Sequence, residues 1–180
     1  MLAKTSIKTT DQLKSFIRDI PNFPKPGIVF KDITPLLKDG QAFNAACQAI
    51  AEPFLNGKID HVIGIESRGF ILSPLVAYQL KAGFIPVRKK GKLPARVERI
   101  SYALEYGEDH LEIHTDAVGK GHRILIVDDV LATGGTAEAV VKLVKKLGGE
   151  VVGVAFLIEL SFLKGREKLK SMDVHSVIQY

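Results

Sequence analysis

Short runs of apolar residues alternate along the chain with segments in which apolar residues recur at helical spacing. The runs are typical of strands buried on both faces of a sheet, and they cover residues 61–65, 83–87, 124–127, 151–157 and 174–178. Helical spacing predicts helices over residues 41–54, from the turn at 66–69 to residue 80, and over residues 137–147. This alternation predicts an α/β fold with a central, mostly parallel twisted sheet flanked by helices.

Three segments depart from the alternation. Residues 10–18 have the pattern of a short amphipathic helix capped by Thr10, and the prolines at 21, 24 and 26 make the next segment irregular. Residues 88–99 are basic and lack apolar periodicity, which predicts a long loop. Residues 101–115 alternate apolar and polar side chains around residues 107–109, which predicts an antiparallel hairpin with one face in solvent.

Composition indicates a single globular domain over residues 1–180, with 46% hydrophobic and 25% charged residues. No apolar run reaches the roughly 20 residues that span a bilayer, and the N-terminus lacks the apolar core of a signal peptide. Cys47 is the single cysteine, so we expect no internal disulfide and a buried, inert thiol. These features favour a cytoplasmic location.

The charge balance suits an anionic partner, because the formal net charge is +5 and the sequence pI is about 9.3. Small phosphates and nucleic acids are both anionic, so charge alone does not separate them. The sequence has no helix-turn-helix or zinc-finger spacing, no tryptophan and only 7% aromatic residues. We therefore expect no nucleic-acid partner and no membrane partner.

The segment ILIVDDVLATGGT, residues 124–136, carries the most specific chemistry. Asp128 and Asp129 stand at the carboxyl end of a predicted strand, where open α/β sheets bind ligands. One acid could simply cap the next helix, but two adjacent acids repel each other and need a compensating partner. Vicinal ribose hydroxyls fit because they donate hydrogen bonds to carboxylates, and a hydrated Mg²⁺ also fits.

A glycine-rich turn, TGGT at residues 133–136, comes directly before the next predicted helix. Exposed amides at a helix N-terminus bind phosphate, and glycines let the backbone approach it closely. The turn has neither the lysine of GxxxxGK[ST] nor the GxGxxG spacing. A monophosphate is therefore favoured over the phosphates of ATP or of a dinucleotide.

With these residues in view, VDDVLATGGT resembles the 5-phosphoribosyl-1-pyrophosphate (PRPP) binding motif of the type I phosphoribosyltransferases. Further segments resemble the adenine-specific branch of that family: FPKPGIVFKDI (23–33), ESRGF (66–70), RKKGKLP (88–94), YALEYG (102–107) and KGREKL (164–169). They cover nearly the whole chain in the family's order. The resemblance implies the type I phosphoribosyltransferase fold, with a small hood and N-terminal helix at about residues 1–35 and a flexible catalytic loop and hairpin at about 88–115.

The resemblance also implies roles on the PRPP side. Asp128 and Asp129 would hold the ribose 2- and 3-hydroxyls. The 5-phosphate loop would consist of Ala132, Thr133, Gly134, Gly135 and Thr136. The residues matched to pyrophosphate are Glu66, Ser67, Arg68, Arg88, Lys89 and Lys92, with a cis peptide expected between Glu66 and Ser67. In this family a neighbouring subunit supplies part of the pyrophosphate contact.

On the base side, the resemblance places adenine near Phe30, with its edge read by the backbone of Val29 and Lys31. One amide N–H and one carbonyl match adenine's ring acceptor and amino donor, whereas a 6-oxopurine presents the opposite pattern and leaves buried groups unpaired. Glu105 would act as the general acid/base toward a purine ring nitrogen, Tyr106 would help to close the loop, and Arg68 would also take part in catalysis.

The implied reaction is purine salvage, in which adenine and PRPP give AMP and pyrophosphate through pentosyl transfer to N9. Mg²⁺ would be the cofactor, held mainly by substrate and water, and the enzyme would be a homodimer. Two alternatives stay open. A 6-oxopurine phosphoribosyltransferase shares the PRPP motif, and so does a non-catalytic PRPP-sensing regulator, although the latter normally carries a DNA-binding domain.

Several other charged or metal-ligating residue types are not expected to take part in the site. Lys90, Arg96 and Arg99 are expected to be solvated surface charges. His110 and His114 have the spacing of a helical zinc pair, but HLEIH has a strand pattern, in which that spacing does not bring two ligands together.

Overall fold

The computed structural model describes residues 9–104 and 107–180, without the side chains of residues 103, 104, 107 and 108. The helices are α1 (Thr10–Lys14), α2 (Thr34–Lys38), α3 (Gly40–Ala51), α4 (Gly69–Leu80) and α5 (Gly135–Lys146). The strands are β1 (Arg18–Pro21), β2 (Val29–Asp32), β3 (His61–Ile65), β4 (Gly83–Lys89), β5 (Val97–Leu104), β6 (Gly107–His114), β7 (Arg123–Leu131), β8 (Glu150–Glu159) and β9 (Val174–Gln179). Short 3₁₀ turns cover Glu52–Phe54, Ser161–Leu163 and Gly165–Leu169.

The main sheet has seven strands in the order β5-β6-β4-β3-β7-β8-β9. The pairs β4–β3, β3–β7, β7–β8 and β8–β9 are parallel, and the hairpin β5–β6 adds two antiparallel strands at one edge. Since β3 and β7 are parallel neighbours, the turns that follow them leave the same edge of the sheet. This confirms the predicted mostly parallel α/β architecture, and it brings the turn at 66–69 close to Asp128.

The hydrophobic core lies on both faces of this sheet, and the apolar run in β7 serves both. Leu125 and Val127 pack in one cluster with residues of α3 and α4. Ile124 and Ile126 point the other way and pack with residues of α5. Successive side chains of a strand face opposite sides of the sheet, so a strand covered on both faces needs a continuous apolar run.

The N-terminal part forms a small second sheet, in which β1 and β2 pair antiparallel with each other. The helix expected over residues 10–18 is shorter: α1 ends at Lys14, and its N-cap is Thr9, not Thr10. The Thr9 side chain accepts from the Gln12 amide and the Gln12 side chain accepts from the Thr9 amide, a reciprocal capping box. The helix has its C-cap at Ser15, and the chain continues into β1 from Arg18.

Three expected boundaries also shift. β7 continues past the aspartates to Leu131, because β8 runs alongside it as a partner as far as Glu159. The basic loop shrinks to residues 90–96, since strands β4 and β5 occupy both of its ends. Gly107 begins β6 opposite Leu104 and so does not lie in a turn at 107–109.

Two further expectations concern the chain as a whole. Cys47 is buried in α3, and burial raises the pKa of its thiol to about 12, in agreement with an inert thiol. In the described residues, none of the helices has the length and apolar character that crossing a bilayer requires.

Candidate active site

The acidic pair stands where β7 passes the turn that opens α4. Asp129 is 5% exposed, and the Asp128 Oδ1 atom accepts a hydrogen bond from the Asp129 amide at 2.9 Å. Burial raises the pKa of Asp128, and the neighbouring Asp129 carboxylate raises it further. Burial also raises the pKa of Asp129, an effect that the Arg68 guanidinium opposes. Two acids with raised pKa values that stand side by side need a ligand or cation to be stable in the ionised form.

Arg68 provides part of this compensation through its charge. Its Nε atom lies 2.7 Å from Asp129 Oδ2 and forms an ion pair. The N–H group is not directed at the oxygen, however, and Asp129 Oδ2 is buried without a hydrogen-bond donor from the described residues. A buried carboxylate oxygen without a donor is costly. The positive charge of Arg68, 2.7 Å away, therefore compensates this oxygen in the buried pair.

The turn before α4 packs directly against the acidic pair, and glycine is required there. A Cβ on Gly69 would come within 2.8 Å of Asp128 Oδ1 and 3.2 Å of the Val127 carbonyl oxygen. Glu66 and Ser67 in the same turn are joined by a cis peptide bond, as expected for these two residues. The turn that carries Arg68 and the end of β7 thus form one continuous surface.

Residues 132–136 form the turn between β7 and α5. Gly134 is the N-cap of α5 in the left-handed region, with φ of 78°, and the helix has no side-chain cap. The first amides of α5 therefore remain free to donate to an anion. A cavity of about 80 Å³ lies here, lined by Asp128, Phe156 and residues 130–137. A water molecule occupies about 30 Å³ of liquid, so the cavity suits a group of a few heavy atoms.

The glycine-rich turn rests on a second glycine that the sequence motif does not include. A Cβ on Gly134 would overlap the carbonyl oxygen of Gly165, and a Cβ on Gly165 would overlap the carbonyl oxygen of Ala132. Arg166 holds this support in place, because its Nε atom lies 2.8 and 2.9 Å from the two carboxylate oxygens of buried Glu159. The KGREKL segment therefore packs behind the turn.

The basic residues gather around Glu66. The Glu66 carboxylate accepts from the Lys89 amide at 2.9 Å and from Lys92 Nζ at 2.8 Å. Arg88 Nε lies 3.4 Å from the same carboxylate, and Arg88 also donates to the Lys92 carbonyl. These contacts hold the pKa of Glu66 below its usual value although burial acts in the opposite direction. Glu66 thus organises the cations and does not itself present a donor to an anion.

The hood, which we define as β1, β2 and the loop between them, reaches the acidic pair through Arg68. The Arg68 Cζ atom lies 4.9 Å from the centroid of the Phe30 ring, and Phe23 packs edge-on against that ring at 5.3 Å. Val29 stands opposite Pro21, which has no amide hydrogen, so the Val29 carbonyl receives no hydrogen bond from its partner residue. Phe30, Arg68 and Asp129 therefore form a continuous line from hood to β7.

Some contacts lie outside what the sequence indicated. The Tyr102 hydroxyl contacts Asp109 at 3.3 Å and interacts with the Thr136 side chain, which links the hairpin to the glycine-rich turn. Arg99 is exposed, as expected of a surface charge, and it also pairs with buried Glu112 across the hairpin at 2.6 Å. Glu105 and Tyr106 lie outside the described residues. A larger cavity of about 840 Å³ borders α1, α3 and α4 and includes none of the predicted site residues.

Comparison with known proteins identifies the family. Residues 35–178 match the model of the phosphoribosyl transferase domain. An adenine phosphoribosyltransferase of Acidobacterium capsulatum is 59% identical over 170 residues, which are 94% of this chain and 94% of that protein. A crystal structure of the Rhodothermus marinus adenine phosphoribosyltransferase shares 55% identity, covers 95% of this chain and 98% of its own, and has a TM-score of 0.90.

A third comparison includes bound molecules. The adenine phosphoribosyltransferase of Saccharomyces cerevisiae, solved with adenine and with D-2,5-dideoxy-2,5-imino-altritol 1,6-bisphosphate, shares 41% identity. The similarity covers 93% of this chain and 97% of that chain, with a TM-score of 0.89. Sequence identity at this level over nearly the full length, together with the common fold, shows that the chain belongs to the phosphoribosyltransferase family, within its adenine phosphoribosyltransferase branch.

Proposed function

We propose that the chain transfers the 5-phosphoribosyl group of PRPP to N9 of adenine and releases AMP and pyrophosphate. The observation that carries this proposal is the line from Phe30 through Arg68 to Asp129, which ends beside the glycine-rich turn. It sets an aromatic hood, a pair of adjacent carboxylates and free helix amides at neighbouring positions. A base, a ribose and a 5-phosphate require these three kinds of group in this order.

On the ribose side, Asp128 and Asp129 accept hydrogen bonds from the 2- and 3-hydroxyls. The raised pKa values of the two buried, adjacent acids support this role, because the ionised pair needs a compensating partner. The 5-phosphate occupies the cavity above the turn 132–136, where the amides of the first turn of α5 and the hydroxyls of Thr133 and Thr136 donate to it. Orienting the ribose in this way is a large part of the catalytic effect, because it converts an encounter into a positioned reaction.

The pyrophosphate side combines the turn 66–68 with the basic residues. Arg88, Lys89 and Lys92 supply positive charge toward the leaving group, and Glu66 keeps Lys92 close before PRPP arrives. Mg²⁺, when bound, neutralises charge on the departing pyrophosphate. The residues that would stand nearest such an ion are Asp128 and Asp129, since adjacent carboxylates are the hard oxygen groups that Mg²⁺ prefers, here through substrate and water.

In the reaction itself, the bond between ribose C1 and the pyrophosphate oxygen breaks and a bond from C1 to adenine N9 forms. Pyrophosphate leaves with the bonding electron pair, and the proton on the purine ring is released. The transition state resembles an oxocarbenium ion, as in glycoside hydrolysis. Arg68 lies between the hood and the acidic pair, where its charge favours the approach of the anionic substrate and orients Asp129.

Glu105 is proposed as the acid/base group that hydrogen-bonds a purine ring nitrogen while N9 attacks. Replacing it with Gln is expected to lower kcat about 100-fold or more, since general acid–base catalysis contributes about 10²–10⁴. The KM for PRPP should change little. Steady-state kinetics with both substrates varied will test this, with Glu98→Gln in β5 as a control. An unchanged kcat in Glu105→Gln would make Glu105 an ordinary solvent-facing carboxylate.

We also propose that the enzyme is a homodimer that uses α4 as part of its interface. Three apolar side chains one turn apart on α4 remain exposed: Ile71 at 39%, Leu75 at 40% and Tyr78 at 84%. A helix that is apolar on its outer face as well as its inner one is normally covered by another surface. A second copy is the occupant that completes the pyrophosphate contacts which the family shares between subunits.

Sedimentation equilibrium provides the test of the dimer. The wild type is expected at twice the chain mass of 19.7 kDa, and Leu75→Arg with Tyr78→Glu is expected to sediment as a monomer with reduced activity. Phe162→Glu, which alters another exposed hydrophobic residue in the turn after β8, should remain dimeric. A monomeric wild type, or a dimer that survives the α4 variant, would remove α4 from the interface.

Product analysis tests the reaction directly. Incubation with PRPP, adenine and Mg²⁺ should give AMP and pyrophosphate in a one-to-one ratio, and excess chelator should reduce the rate. Release of ribose 5-phosphate without AMP, or of no product, would contradict the proposed transfer.

A further inference from the structure

The Lys31 side chain is fully engaged on the side of β2 that faces away from Phe30. Its Nζ atom lies 2.7 Å from Asp19 Oδ1 and 3.8 Å from the centroid of the Tyr180 ring. The side chain is 12% exposed. Because successive residues of a strand point to opposite faces, the side chains of Phe30 and Lys31 make their contacts on the two opposite faces of β2.

Tyr180 is well fixed on the body of the protein. Its amide donates to the Glu159 carbonyl and its carbonyl accepts from the Ser161 amide, each at 3.0 Å. Its side chain packs against the core cluster that includes α3. A second cation, Lys14 of α1, lies 4.2 Å from the same ring centroid and donates to the Gln179 carbonyl at 3.2 Å. The ring is thus a rigid platform for two ammonium groups.

The hood depends on such side-chain contacts for its position. It is a separate two-stranded sheet, and its strands do not join the seven-stranded sheet of the body. A two-stranded hairpin alone is at best marginally stable in water. On the two faces of β2, the aromatic–cation contacts that connect it to the body are Phe30 with Arg68 and Lys31 with Tyr180. Between them lies the backbone of residues 29–31.

We propose that Tyr180 is a positioning residue for base recognition: its ring holds the Lys31 ammonium and so fixes the β2 backbone that reads the edge of adenine. This inference rests on the proposed function. In this proposal the Lys31 side chain attaches the hood to the body of the protein, and only the Lys31 backbone contacts the base. Tyr180 touches no substrate and acts through Lys31.

The test compares Tyr180→Leu, which removes the ring, with Tyr180→Phe, which keeps it. Cation–ring contacts of this kind correspond to about a 3- to 30-fold change in an equilibrium. Tyr180→Leu should therefore raise the KM for adenine about 3- to 30-fold and leave the KM for PRPP and kcat at saturation near the wild-type values. Tyr180→Phe should restore the wild-type KM for adenine. Lys14→Met, which removes the cation outside the hood, should resemble wild type.

A second variant separates positioning from folding. Lys31→Met keeps the aliphatic stem and should raise the KM for adenine to a similar extent, and the double variant with Tyr180→Leu should be no worse than either single one. The inference would be overturned if the KM values for adenine and PRPP rose equally in Tyr180→Leu, or if the KM for adenine did not change. It would also be overturned if Tyr180→Phe were as impaired as Tyr180→Leu. Wild-type enzyme without adenine-dependent AMP formation would instead overturn the proposed function.

Discussion

Asp129→Asn is expected to lower kcat/KM for PRPP about 10- to 150-fold, since a hydrogen bond to a charged group contributes about 1.5–3 kcal/mol. Asp128→Asn should have an effect of similar size, and the double variant should have almost no activity. The amide keeps the shape of the carboxylate but loses the charge that ribose hydroxyls and Mg²⁺ require. Steady-state kinetics with PRPP varied at saturating adenine provides the measurement.

The same substitutions should leave the fold intact. Burial raises the pKa of both acids above their unfolded values. Such a group lowers the free energy of unfolding as the pH rises through the interval between its unfolded and folded pKa values, because the unfolded state releases its proton there while the folded state still retains it. At neutral pH the Asn variants avoid this cost. Their melting temperatures should therefore equal or exceed that of the wild type while activity falls.

Glu150→Gln is the matched control for this pair. Glu150 is an exposed acid at the start of β8, paired with Arg123 at 3.0 Å, at the end of the sheet opposite to the site. It should retain wild-type kinetics. Normal PRPP turnover in both Asp128→Asn and Asp129→Asn would show that the acidic pair does not hold the ribose.

The second large effect is expected for Gly134→Val, which should weaken AMP binding about 100-fold or more, since the loss of two amide hydrogen bonds to a charged phosphate costs about 1.5–3 kcal/mol each. The new side chain meets the Gly165 carbonyl oxygen, which is backbone and cannot move aside, and Gly134 has a φ of 78°. The turn must shift, and with it the amides that would hold the 5-phosphate. Calorimetric titration with AMP gives the dissociation constant.

Gly121→Val separates the clash from the backbone strain. Gly121 has a φ of 76°, close to that of Gly134, but a Cβ there has nothing within 4 Å. Both variants therefore carry the cost of a side chain in the left-handed region, and only Gly134→Val disturbs the turn. Similar AMP affinities in the two variants would show that the 132–136 turn does not bind the phosphate.

The sequence was most informative where local pattern and structure coincide. The strand over residues 61–65 has the predicted bounds, because a strand covered on both faces needs an apolar run as long as itself. The strand of residues 124–127 was predicted too short, since Asp128 and Asp129 interrupt the apolar pattern although β8 continues the pairing beside them. The two acids proposed to bind the substrate thus interrupt the apolar pattern from which the strand is predicted.

Contacts between distant segments could not be predicted in this way. Arg99 was interpreted as a surface charge because its partner Glu112 becomes its neighbour only through the register of the β5–β6 hairpin. The support of Gly134 by Gly165 and the contact of Lys31 with Tyr180 likewise depend on how the chain returns upon itself. β1 was missed because residues 18–21 contain Arg, Asp and Pro and cover no core.

The central claim, adenine-specific transfer from PRPP, is tested most directly by offering adenine, hypoxanthine, guanine and orotate in parallel with PRPP and Mg²⁺. Recognition of the base edge by one backbone donor and one backbone acceptor predicts that adenine has the highest kcat/KM, by about 30-fold or more over hypoxanthine, since two mismatched buried groups cost about 1–3 kcal/mol each. A kcat/KM for hypoxanthine or guanine equal to or above that for adenine would contradict this account of the hood.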